Sequence, residues 1–122
     1  TQKCVLKDDA AEIVEKMKNA DVIAFATPIY YYEMAGQMKT LLDRANPLYP
    51  SDYKFRDIYL LASSAEDDNA AMDRAVIGLQ GWIECFPKCG LKGVVRATGV
   101  EAVGDIQGKP VLNEAFEMGQ NV

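Results

Sequence analysis

Along the chain of 122 residues, apolar positions alternate between two periods. Ala10, Ile13, Val14 and Met17 recur at helical spacing, and Asp9 with Glu12 makes a capping-box start. "DVIAFATP" (21–28) is then a continuous apolar run, which predicts a strand buried on both faces. Helical spacing returns at Met34, Met38, Leu41, Leu42 and Ala45. A proline-bearing loop, "NPLYPSDYKF" (46–55), leads to a second strand, "DIYLLASS" (57–64). Met72, Ala75, Val76, Leu79, Ile83 and Phe86 predict a further helix, with Gly90 just past its end. "LKGVVRATGV" (91–100) reads as the third strand. Pro110 suits the first turn of a last helix with Leu112, Ala115 and Phe116 facing inward.

Helices alternating with three apolar strands predict an α/β fold in a single domain over residues 1–122. Its sheet is parallel, because each crossover passes through a helix. Right-handed crossovers place the helices between successive strands on one face if the strands follow chain order. Three of four helices then share that face, and the other has mainly the last helix to cover it. An open edge at 22–27 beside a bare face calls for either upstream residues absent from this sequence or a second subunit, and the unpaired edge predicts association as a homo-oligomer.

Composition removes several function classes. A net charge of −5 with no basic run argues against nucleic acid and anionic membranes as partners. No apolar run approaches the roughly 20 residues of a membrane span. Three cysteines without a framework spacing suggest a reducing, cytoplasmic setting. Cys85 and Cys89 stand four apart, but with no histidine and no third nearby thiol they are short of ligands for zinc, and no metal site is expected. The same lack of histidine removes Ser-His-Asp and Cys-His triads. Glycine-rich phosphate motifs are missing too. Asp67 and Asp68 read as a helix cap, and Lys39 with Asp43 as a solvated surface pair. No catalytic side chain is assigned, so an enzyme built this way needs an organic cofactor.

The informative stretch is "ATPIYYYEMAGQMKTLLDR" (26–44), which follows the first strand. Ligands of open α/β sheets bind beyond the carboxyl ends of the strands, and three tyrosines there suit either a flat ligand or a subunit contact. Thr27, Pro28, Tyr30, Gly36, Lys39, Asp43 and Arg44 match a pattern of Thr/Ser-Pro-x-Tyr, Gly-x-x-Lys and Asp-Arg. In this pattern the chain resembles the flavodoxin-like family of NAD(P)H-dependent FMN reductases and iron–sulfur flavoproteins. The resemblance also covers "LKGVVRATGVEAVGDIQGKPVLNEAFEMG" (91–119) and hence nearly the whole chain.

That resemblance implies a flavodoxin-like parallel three-layer sandwich, truncated to three strands and about four helices. It implies an FMN-dependent oxidoreductase that draws on NAD(P)H and reduces a small-molecule redox substrate of the quinone, nitro or flavin type. Thr27, Pro28, Ile29, Tyr30 and Tyr31 would lie along the FMN ring, and Ser63 and Ser64 would form the second flavin-side loop. The family's opening phosphate-cradling strand and loop have no counterpart in these residues. Each charge-assisted bond so lost is worth about 1.5–3 kcal/mol, so FMN binding is expected to be weak or absent in this chain. Cys4 matches the last member of the cysteine cluster in the iron–sulfur branch, but without the other three it holds no cluster. Two rival functions stay open: a flavodoxin-like electron carrier, and a non-catalytic oligomerising domain whose tyrosines serve an interface.

Overall fold

The computed structural model describes residues 5–122. Cys4 lies outside them. Four helices, α1 (Ala10–Asn19), α2 (Gly36–Arg44), α3 (Asp73–Ile83) and α4 (Pro110–Gln120), accompany four strands, β1 (Val22–Tyr30), β2 (Glu33–Met34), β3 (Asp57–Ser63) and β4 (Gly90–Ala97). The sheet order is β2-β1-β3-β4. β1, β3 and β4 run parallel in chain order, as the pattern predicts. The expectation of three strands is corrected by β2, which folds back antiparallel on the end of β1 through Ile29–Met34 and Tyr30–Glu33 pairs. Met34, expected at the start of a helix, is therefore a strand residue, and the helix opens at Gly36.

Local chemistry explains the element ends. α1 starts with the Ala10 amide donating to Asp8 Oδ1 at 3.1 Å. The expected capping box at Asp9 does not form, because Asp9 already has helical backbone angles (φ −68°, ψ −14°) and makes no side-chain cap. Asp68 does cap as expected, its Oδ1 accepting from the Ala70 amide at 2.9 Å. Lys39 and Asp43 form the predicted exposed pair at 2.6 Å. Gly90 does not close a helix. α3 stops at Ile83, a turn intervenes, and Gly90 opens β4.

Buried side chains from α1 (Val14, Met17), α2 (Met38, Leu42) and α3 (Leu79, Ile83) form one cluster with Ile23, Phe25, Ile58 and Leu60 of the sheet. Three helices thus share one face. The sequence pattern missed a part of this core. Leu48, Tyr53 and Phe55 sit in the segment read as a plain loop, yet all three are buried. Phe55 stacks on Tyr53 with centroids 4.4 Å apart, and Phe86 meets both rings edge-on.

The other face behaves differently. No residue of α4 is buried, and Leu112 and Phe116, expected to face inward, are exposed. α4 rests mainly on β4, where Met118 and Tyr59 press so close to Gly93 that an added Cβ would sit 2.8 Å from Met118 Sδ. Ala24 and Ala26 of β1 remain exposed on that side. The helix lies over one end of the sheet and leaves the β1 end open.

Candidate functional site

Two turns meet beyond the carboxyl ends of the strands. The first joins β1 to β2 with two residues, Tyr31 and Tyr32, at φ +50° and +65°. Positive φ at both central positions defines a type I′ hairpin turn, a conformation that favours Asn-Gly and strains a side chain with a Cβ. Thr27 fixes the base of this hairpin. Its hydroxyl accepts from the Ala35 amide at 2.9 Å and donates to the Pro28 carbonyl oxygen at 2.8 Å. Thr27 is only 4% exposed, so neither bond is traded with water. On the far side α3 passes close to β2, and a Cβ at Gly78 would meet Met34 Cε at 3.3 Å.

The second turn follows β3. The Ser64 amide donates to the Ala97 carbonyl at 2.9 Å, and the Val100 amide returns a bond to the Ser64 carbonyl at 2.8 Å. Gly99, at φ +62°, closes the junction by donating to the Glu66 carbonyl. A Cβ at that position would lie 3.0 Å from Asp67 Oδ1. Gly99→Ala is therefore expected to cost about 1 kcal/mol through left-handed strain, as a drop in the denaturation midpoint would show.

A third loop follows. The Asp105 carboxylate accepts from the amides of Ala102 (2.7 Å) and Glu101 (3.1 Å), and these bonds hold its pKa below the ordinary carboxylate value. A pKa lower in the folded state stabilises the loop above the unfolded value and loses that contribution as pH falls through the folded one. The amide resonances of Glu101 and Ala102 should hold steady at neutral pH and shift only on strong acidification. Asp105→Asn should abolish that acid transition.

Two grooves open at this end of the sheet. One, of about 350 Å³, lies on the α4 side and is lined by Thr27, Pro28, Ser63, Ala97, Ile106 and Leu112, among others. The second, of about 560 Å³, lies along β1 and α2 and includes Thr27, Pro28, Tyr30, Ala35 and Gln37. Thr27, Pro28, Tyr30 and Ser63 thus reach a groove wall. The other three expected site residues do not. Ile29 packs on the core, Ser64 is buried with its hydroxyl donating to the Glu66 carbonyl, and Tyr31 is 98% exposed. Ile106 and Ala97 were not foreseen, since the loop that carries Ile106 has no periodic pattern to announce it.

The groove on the α4 side suits a planar conjugated ring in size and in its largely apolar walls, whereas the groove along β1 and α2 mixes polar and apolar surface. No Lys or Arg among the described residues lines either groove. The walls fit the ring of a flavin and offer its phosphate no cationic partner.

Comparison with known proteins bears on this geometry. The profile of the family described as NADPH-dependent FMN reductase matches residues 1–90. The chain belongs to that family. An iron–sulfur flavoprotein of Methanocaldococcus jannaschii is 46% identical over 46 residues, or 38% of this chain and 24% of the relative. One from Methanosarcina thermophila is 30% identical over 81 residues, or 66% of this chain and 42% of the relative. The chain thus matches less than half the length of these relatives. Among solved structures, the NAD(P)H:quinone oxidoreductase of Methanothermobacter marburgensis overlays with a TM-score of 0.72 at 19% identity, covering 99% of this chain and 65% of that one. The Trp repressor binding protein of Bacillus subtilis gives 0.68 at 21% identity, over 80% of this chain and 67% of its own. At such identities the likeness is one of fold, and it makes the fold flavodoxin-like. No helix among the described residues is long and apolar enough to cross a membrane.

Proposed function

We propose that this FMN reductase family member serves an FMN-dependent NAD(P)H oxidoreductase, acting on quinone-like, nitro or flavin acceptors. The observation that carries the reading is the meeting of the Thr27-braced hairpin and the Ser63 turn at one groove of the sheet's carboxyl edge. Hydride acceptance and onward reduction would be the chemistry of the bound cofactor. The residues would supply binding and orientation. Pro28, Ala97 and Ile106 would give a ring apolar walls that exclude water, and Ser63 would offer the polar group of that groove. Thr27 and the short antiparallel pair hold the hairpin in register. The lack of histidine is consistent with a step that needs alignment more than a protein acid.

Titration of the purified chain with FMN and with riboflavin, followed by flavin fluorescence, tests this. Both should bind weakly and with affinities within a few-fold of each other, because the walls contact the ring and no cation contacts the phosphate. Sub-micromolar FMN affinity, or a large preference for FMN over riboflavin, would contradict this account of the site. No saturable binding of either flavin at millimolar concentration, the outcome expected if the phosphate contacts are indispensable, would remove these groove walls as the observation that carries the reading.

A further inference from the structure

A third hollow, of about 380 Å³, lies on the three-helix face and shares no lining residue with the two grooves at the carboxyl edge. Its walls come from the end of α2 and the turn after it, with Asp43, Asn46 and Tyr49, and from the end of α3, with Trp82, Cys85 and Phe86. Three of these residues are aromatic. Trp82 and Phe86 pack with ring centroids 4.5 Å apart, and the Trp82 indole N–H donates to the Leu42 carbonyl at 3.2 Å. Tyr49 is 67% exposed and stands at the solvent side.

The charge around this hollow has the wrong sign for two helix ends. A helix C-terminus carries about half a negative charge, which a cation in the last turn ordinarily offsets. α3 has no basic residue in its last turn, and Glu84 occupies its C-cap. α2 has Arg44 there, but that guanidinium is bonded to Asp8. Asp43 adds a carboxylate one residue earlier, and Pro47 has no N–H to give the Asp43 carbonyl. Lys39 reaches Asp43 Oδ1 at 2.6 Å from the previous turn, an exposed pair that water screens. No Lys or Arg among the described residues lines the hollow.

We propose that this hollow is a binding site for a small organic cation, an ammonium group on an apolar body. Aromatic rings attract such a cation through their quadrupoles, and its methyl groups bury against the same surfaces. The two helix ends and Asp43 supply the opposing charge. A neutral apolar molecule gains the walls without the charge, and an anion meets a carboxylate and carbonyl dipoles of its own sign. The site is separate from the flavin reading and stands or falls without it.

Trp82 is the only tryptophan of the chain, so its fluorescence reports the site. Titration of the purified chain with choline chloride should give a saturable change that equal concentrations of sodium chloride do not. Neohexanol, the neutral carbon isostere of choline, should bind at least about threefold more weakly, the discrimination that a charge beside aromatic rings provides. Cys85, exposed on the wall, gives a second readout. Iodoacetamide should alkylate it about fivefold more slowly at four times the choline dissociation constant, as the occupancy of a single site requires. Asp43→Asn and Tyr49→Ala, both at exposed positions, should each weaken choline binding by about threefold while the circular dichroism spectrum stays native. Four results would overturn the proposal: no saturable signal at tens of millimolar choline, equal binding of choline and neohexanol, alkylation of Cys85 that choline does not slow, or a dimer in light scattering that Tyr49→Ala splits. The last would make the hollow a contact between copies of the chain.

Discussion

Replacing Tyr31 and Tyr32 by Asn and Gly should make the protein more stable, by about 1–3 kcal/mol. Each tyrosine occupies the left-handed region, at φ +50° and +65°, where an L side chain pays about 1–2 kcal/mol. Little in the fold repays Tyr31, which is 98% exposed. Asn-Gly is the pair this turn favours, and the added backbone entropy of glycine in the unfolded chain offsets only part of the gain. A rise of about 4 °C or more in the thermal midpoint is expected for a domain of this size. An unchanged or lower midpoint would mean that the tyrosine rings stabilise the fold by contacts that outweigh the strain. Strain of this kind, kept at a turn beside the candidate site, is consistent with a role for the rings outside the fold.

Thr27→Val should cost about 2–3 kcal/mol and loosen the hairpin. The exchange keeps the shape of the side chain and removes its oxygen, so the Ala35 amide, bonded at 2.9 Å in a buried position, is left without an acceptor. The damage should be local. The register of β1 against β3, set by Phe25, Leu60 and their neighbours, does not pass through the hydroxyl. Faster amide exchange at Met34 and Ala35 with unchanged protection in β3 would bear this out. Thr27→Ser keeps the oxygen and should recover most of the loss. If valine is tolerated without a change in the denaturation midpoint, Thr27 is not the brace of the hairpin.

Much of the architecture was legible because its signals are local and periodic. The continuous apolar run at 22–28 pairs in parallel with the second strand expected within 57–64, and the helical spacing at Val14–Met17, Met38–Leu42 and Leu79–Ile83 marks the residues that reach the core. Where the reading failed, the deciding contact was distant in sequence. Tyr53 and Phe55 show no period, and they are buried because Phe86, some thirty residues on, packs against both rings. β2 is only two residues long, too short for any alternation to reveal, and exists because the I′ turn lays Met34 against Ile29. Leu112 and Phe116 carry the right pattern for burial and lack a surface to meet it.

The sequence by itself determined the class of fold, the chain-order parallel sheet, three helices on one face, and the family to which the strand–turn–helix motif belongs. The tertiary structure decided which site residues converge. Thr27, Pro28 and Ser63 share a groove wall, whereas Ser64 is turned inward by its bonds to Ala97, Val100 and Glu66, and Tyr31 is carried into solvent by a left-handed turn. Periodicity reports which face of an element is apolar. The direction of a side chain in a turn depends on backbone dihedrals and on hydrogen bonds closed by residues far along the chain, and those exist only once the chain has folded.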